Sequence, residues 1–91
     1  MDKNVIVGQI KEKEAMVSVL IEKVEEEKKM AEFILTKLNE RFAEDADSEN
    51  IIEWTNNFKR SMATIGNYKR EMEMINSQLE FFKQVAADEI L

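Results

Sequence analysis

The stretch of sequence that decides the fold covers residues 51–89 and reads IIEWTNNFKRSMATIGNYKREMEMINSQLEFFKQVAADE. Every seventh residue belongs to one mostly apolar set, and a second set follows three residues after each member of the first. The first set is Ile51, Phe58, Ile65, Met72, Leu79 and Ala86, and the second is Trp54, Ser61, Tyr68, Ile75, Phe82 and Glu89. This spacing of three and four is the heptad pattern of a coiled-coil helix, whose two sets form one seam.

The first half of the chain carries the same pattern. Its two sets are Ile10, Val17, Val24, Ala31 and Leu38, and Ile6, Lys13, Leu20, Glu27 and Ile34. If the chain folds back so that the numbers of paired residues add up to 92, Val17 meets Ile75 and Leu38 meets Trp54. Each set then faces the other set, as in an antiparallel coiled coil. We therefore predict an all-α fold, a single helical-hairpin domain over residues 1–91 that assembles into a four-helix bundle or a larger oligomer.

The helix boundaries follow from the place where the heptad pattern lapses and from the capping residues. We expect helix 1 over about residues 4–43, an acidic turn over about 44–49, and helix 2 over about 49–87. Asn4 is the expected N-cap of helix 1. Three cap-forming residues, Asp47, Ser48 and Asn50, precede the seam of helix 2, and Asn50 with a glutamate three residues later resembles a capping box.

Composition limits both the fold and the chemistry. The 91 residues include no proline and only two glycines, so the frequent turns of an all-β or α/β domain are missing. With no cysteine and no histidine, the chain lacks thiol chemistry and the commonest general base and metal ligand. No serine, threonine or lysine stands beside a recognisable base. We expect no enzymatic activity, no cofactor and no bound metal.

Charge and hydropathy indicate the surroundings of the chain. The net charge is −6 and the basic residues are scattered, which argues against direct binding to nucleic acid through its phosphates. No segment approaches the ~18 consecutive apolar residues of a membrane span. The N-terminal residues also lack the basic and then apolar layout of a signal peptide. We expect a cytoplasmic protein that makes no membrane contact.

Apolar residues outside the seam indicate that the hairpin does not act alone, because soluble monomers rarely expose large contiguous apolar patches. We expect those on helix 1 to form an interface with further copies of the chain and with an unidentified protein partner. The candidate interface residues are Met16, Val19, Ile21, Met30, Phe33, Leu35 and Phe42. From the sequence alone, Ile21→Glu or Leu35→Glu is expected to dissociate the oligomer, and Met16, Met30 and Phe33 are expected to be the apolar anchors for the partner.

Polar residues inside the seam predict how the register is set. Lys13 and Glu27 occupy seam positions, where a polar side chain can fix the register of a coiled coil. Ser61 is expected to face Ala31, which offers no side-chain hydrogen bond. Because alanine is also the better helix former, Ser61→Ala is expected to be neutral or mildly stabilising.

A cluster of carboxylates lies at the predicted turn and offers candidate electrostatic contacts. Its members are Glu44, Asp45, Asp47 and Glu49, which we call the acidic tip. Their alternation is similar to the opening of a calcium-binding loop, but Asn50 and Asn56 stand where that loop needs a glycine and a bidentate glutamate. A solvated hairpin tip explains the same residues, because acids are favourable at the start of a helix.

Three functions are compatible with these features. The first is a non-enzymatic protein–protein interaction module: an oligomeric coiled-coil adaptor, chaperone or small regulator of the kind found in phages and bacteria. The second is a small acidic inhibitor that mimics DNA and blocks the basic nucleic-acid-binding surface of a target enzyme. The third is an oligomeric structural or DNA-packaging ring component. The apolar residues outside the seam favour the first function.

Overall fold

The chain folds into an extended hairpin of two long helices. The computed structural model describes residues 2–45 and 47–90, with the backbone alone described at 89 and 90. Helix α1 covers Lys3–Ala43 and helix α2 covers Ser48–Ile90, and the two pack against each other along their length. The molecule measures 67 × 15 × 15 Å. The predicted all-α hairpin is confirmed, and no strand occurs among the described residues.

The start of α1 differs from the prediction. The helix begins at Lys3, and Asp2, not Asn4, is its N-cap. The Oδ1 atom of Asp2 accepts a hydrogen bond from the backbone N–H of Asn4 at 2.9 Å. Both residue types cap helices well. Asp2 takes the role because its extended backbone aims the carboxylate at the free amides of the first turn.

The turn is shorter than the predicted range of 44–49, because α2 begins at Ser48. The Oδ1 atom of Asp47 accepts a hydrogen bond from the backbone N–H of Asn50 at 2.9 Å. Of the three predicted cap-forming residues, Asp47 is therefore the cap. Asn50 lies in the first turn of α2, so the suggested capping box that begins at Asn50 was wrong. At the other end α2 continues to Ile90, three residues beyond the predicted end.

Asp45 makes the reversal of chain direction possible. After α1 ends, the backbone N–H of Glu44 donates to the carbonyl of Glu40 at 3.0 Å. Asp45 then adopts a φ of 54°, in the left-handed region. Aspartate and asparagine tolerate this conformation better than most residues with a side chain. Ala46, which was part of the predicted turn, lies outside the described residues.

The core follows the two heptad sets. Its buried residues are Ile6, Leu20, Val24, Ala31 and Ile34 from α1, and Ser61, Ile65, Ile75 and Leu79 from α2. The other predicted seam residues with described side chains are half-buried. The side chain of Glu89 lies outside the described part. The predicted seam is therefore confirmed on both helices wherever side chains are described.

The contacts across the seam are consistent with the register in which paired numbers add up to 92. Val24, Ala31 and Ile65 form one buried cluster, against which Phe58, Tyr68 and Met72 pack. The register predicts that Val24 lies opposite Tyr68. It also predicts that Ala31 lies opposite Ser61, which is one helical turn from Ile65. Val24 with Tyr68, and Ala31 with Ile65, belong to this cluster.

Candidate protein-interaction surfaces

The apolar residues predicted as an interface are all exposed, and they lie on two opposite flanks of α1. Their exposed fractions run from 39% at Met16 to 58% at Phe42. One group consists of two pairs, each three residues apart, that repeat after 14 residues, which places its members along one side of a helix. We call it the methionine flank: Met16, Val19, Met30 and Phe33. The other group is spaced by multiples of seven. We call it the leucine flank: Ile21, Leu35 and Phe42.

Two clefts open beside the methionine flank, where α1 meets α2. The first, of about 390 Å³, contains Met16 and Val19 of α1 and reaches Glu71 of α2. The second, of about 450 Å³, lies nearer the open end of the hairpin. Its lining residues are Gln9, Lys13, Ser77, Gln78, Phe81 and Phe82. The exposed Phe81 of α2 therefore extends the apolar surface of the methionine flank.

One groove opens beside the leucine flank, on the other side of the seam. It has a volume of about 220 Å³. Leu35 of α1 and Met62 of α2 lie on its two sides, and the small Ala31 forms part of its lining. Lys28, Glu32 and Lys69 line it as well, so the groove combines an apolar interior with charged residues of both signs. Met62 and Phe81 of α2 line these grooves in addition to the α1 residues predicted as the interface.

Phe33 is held in place although it is 53% exposed. Its ring packs edge-on against Trp54, with centroids 6.5 Å apart and an interplanar angle of 67°. The Nζ atom of Lys37 lies 5.6 Å from the Phe33 ring centroid. An aromatic ring fixed in this way loses little side-chain entropy when a partner covers it.

Each carboxylate of the acidic tip is exposed, as an electrostatic contact would require. Two of them also make defined structural interactions. Glu44 accepts from Arg41 Nη1 at 3.3 Å, and Asp47 caps α2. Asp45 supplies the left-handed residue of the turn, and Glu49 lies in the first turn of α2, where the helix dipole favours negative charge. Within residues 2–45 and 47–90, no group of acidic residues converges as a metal site would.

The polar residues of the seam interact in a way that the sequence did not predict. The Oγ atom of Ser61 donates a hydrogen bond to Oε1 of Glu27 at 2.8 Å, and its distance to the Glu27 carbonyl oxygen is 3.4 Å. Ser61 is only 4% exposed and Glu27 is half-buried. The expectation that Ser61 has no hydrogen-bond partner was wrong, because Glu27 reaches it from one helical turn away. Lys13 is half-buried and lines the second cleft.

Comparison with protein-family models, with curated proteins and with solved structures found no match for this chain. Among the described residues, neither helix has a segment that is both long enough and apolar enough to cross a membrane.

Proposed function

We propose that this protein is a non-enzymatic protein–protein interaction module of the cytoplasm, a coiled-coil hairpin that associates with itself and binds another protein. The single observation that carries the proposal is the amount of apolar surface that the hairpin leaves exposed. Among the described residues, thirteen large hydrophobic side chains are exposed by 39% or more. Soluble proteins that expose apolar surface on this scale generally use it to bind other molecules.

The arrangement of these residues suits the binding of helices. A shallow groove between the two helices opens beside each flank. Met16 and Val19 line one groove and Leu35 lines the other, so a third helix can pack along the hairpin. Helix-in-groove recognition uses apolar anchors spaced by three, four and seven residues. The methionines add adaptable side chains that suit protein recognition.

The acidic inhibitor has less support than the interaction module. A DNA mimic needs carboxylates that are free to meet basic residues of its target. In the acidic tip, Glu44 pairs with Arg41 and Asp47 caps α2. These carboxylates therefore have structural roles that explain their presence without a basic partner.

A matched pair of variants tests whether the leucine flank is the surface that binds the partner. Leu35→Glu puts a carboxylate into the groove of the leucine flank, whereas Thr36→Glu puts one on the adjacent residue, outside that groove. Both positions are exposed, so both variants should keep the hairpin fold, which circular dichroism checks. The measurement is recovery of the partner from extract of the source cell, using equal amounts of each tagged protein.

We expect Leu35→Glu to lose the partner and Thr36→Glu to retain it. Partner recovery by the wild type should change little between about 50 and about 500 mM salt, because screening weakens exposed charge pairs but leaves apolar burial intact. Equal recovery with both variants would show that the leucine flank is not the partner surface. Recovery that disappears at high salt would favour the acidic inhibitor instead.

A further inference from the structure

We infer that the methionine flank of α1 binds a second copy of this chain, with the two α1 helices antiparallel and a two-fold axis between Lys23 and Glu26. The inference goes beyond the proposed function because it fixes the occupant, the direction and the register of one surface. It rests on the self-association in that proposal and is independent of the binding of another protein.

The methionine flank is part of a second heptad seam on α1. When charged residues are included, the spacing along this side of the helix alternates between four and three. Glu12 and Lys37 lie outside the apolar residues, and Lys23 and Glu26 lie between them. The complete seam is about 38 Å long at 1.5 Å per residue. Each of its positions comes one residue before a position of the seam that contacts α2, so the two seams lie about 100° apart around a helix of 3.6 residues per turn. A helix in a four-helix bundle contacts two neighbours at a similar angle, so α1 can pack on α2 and on a second copy at once.

The positions of the apolar residues in this seam are symmetric about its centre. In an antiparallel pair of α1 helices whose paired numbers add up to 49, Met16 faces Phe33 and Val19 faces Met30. By the two-fold symmetry, each of these pairs occurs twice. Such self-complementarity is what an isologous interface requires.

The charged residues select this register. In the same antiparallel pair, Lys23 faces Glu26 and Glu12 faces Lys37, so all four residues meet an opposite charge. A parallel pair would instead place Lys23 against Lys23 and Glu26 against Glu26. An antiparallel pair shifted by one heptad would bury Met16 against Glu26. Repulsion between like charges disfavours the parallel pair, and desolvation of the Glu26 carboxylate disfavours the shifted pair.

The leucine flank lacks this property. The antiparallel register that places Ile21 opposite Leu35 also places Lys28 opposite Lys28. The register that serves the methionine flank would place Ile21 opposite Lys28 and Leu35 opposite Glu14. Charge complementarity therefore assigns the second copy to the methionine flank, in place of the expectation that Ile21 and Leu35 hold the oligomer together.

The side chains of the inferred interface are accessible in the hairpin. Lys23 and Glu26 are exposed, and neither belongs to the ion pairs found among the described residues, which join Lys28 to Glu25, Lys37 to Glu40 and Arg41 to Glu44. Lys23 lies against the Tyr68 ring, at 5.8 Å from its centroid. Because Lys37 already pairs with Glu40, the central pairs between Lys23 and Glu26 contribute more to selectivity than the outer pairs.

Charge reversal tests the pairing directly. Lys23→Glu alone creates two repulsive central pairs in the homodimer, and Glu26→Lys alone does the same. We expect each variant to dimerise about 10- to 30-fold more weakly than the wild type, since two attractive pairs become repulsive. An equimolar mixture restores opposite charges in both pairs, so the mixed dimer should form with about the affinity of the wild type. Sedimentation equilibrium measures the affinities, and native mass spectrometry with one variant labelled with ¹⁵N detects the mixed dimer.

The result distinguishes antiparallel from parallel pairing. In a parallel dimer the wild type already carries like charges at both positions, so each single variant would dimerise as well as the wild type and the mixture would dimerise better. That pattern would overturn the inference. A wild-type chain that sediments as a 10.7 kDa monomer at micromolar concentration would also overturn it.

A second pair of variants tests the choice of flank. Val19 and Ile21 are 50% and 51% exposed and lie on opposite flanks, so glutamate at either position adds the same charge at the same exposure. We expect Val19→Glu to abolish the dimer and Ile21→Glu to leave it intact. The reverse result would assign self-association to the leucine flank. These outcomes are independent of partner recovery by the Leu35→Glu variant, so the dimer and the proposed binding of another protein can fail separately.

Discussion

The hydrogen bond between Ser61 and Glu27 leads to a prediction opposite to the one from sequence alone. Ser61→Ala removes the donor of a bond that is 2.8 Å long and ends on a carboxylate. Hydrogen bonds to charged groups contribute about 1.5 to 3 kcal/mol to stability. Alanine has the better helix propensity, which offsets about 0.5 kcal/mol of this loss in stability. Glu27 is half-buried, so water can replace part of the lost bond. We expect a net loss of about 1 to 2 kcal/mol in the free energy of unfolding.

Urea denaturation followed by circular dichroism measures this loss. All variants are compared at one protein concentration, because self-association makes apparent stability depend on concentration. Ser77→Ala is the matched control: it is the same substitution in the same helix, but Ser77 is exposed and donates only to the carbonyl of Glu73, in its own helix. The control should be neutral or slightly stabilising.

A double-mutant cycle with Glu27→Ala isolates the interaction itself. If the bond contributes as argued, the two substitutions together should cost about 1 kcal/mol less than the sum of their separate effects. Coupling near zero, or a Ser61→Ala variant as stable as the Ser77→Ala control, would refute the reasoning. In that case the seam would be indifferent to its polar residues, and Glu27 would not set the register.

Two further predictions concern the turn. Asp45→Gly should stabilise the hairpin by about 0.5 to 1 kcal/mol, because glycine adopts a positive φ without steric cost, and Asp45→Val should destabilise it in the same urea measurement. Conversion of the acidic tip to asparagine and glutamine should leave partner recovery unchanged, since asparagine still caps a helix; lost recovery with intact helicity would support the acidic inhibitor.

The heptad spacing was sufficient to predict the hairpin and its seam, because burial of apolar residues at a fixed period determines which side of each helix faces the other. The caps were predicted less well. Asp2 and Asn4 both favour capping, as do Asp47 and Asn50, and the choice depends on backbone angles that no residue type fixes. Candidate caps within three residues of each other therefore leave a boundary uncertain by one turn.

The interaction between Ser61 and Glu27 shows a different limit. The register places Ala31 opposite Ser61, but the long side chain of Glu27, one turn away, reaches Ser61 instead. The heptad register therefore predicts which positions of the two helices face each other. It predicts less well which side chains form hydrogen bonds across the seam. The interface residues were predicted to be exposed, and they are, yet exposure on both flanks of α1 does not say what covers either one.

The charged segment in the middle of α1 explains why a dimer through this helix would need more than apolar residues. Met16 with Val19, and Met30 with Phe33, form two similar apolar clusters that could pair in either direction. Apolar contacts alone distinguish these arrangements weakly, because area burial has no direction. Lys23 and Glu26 add an electrostatic energy that depends on direction. They attract each other when the helices are antiparallel, and like charges repel when the helices are parallel. In the dimer that we infer, these two residues reduce the apolar area at the centre of the interface and in return exclude the parallel arrangement.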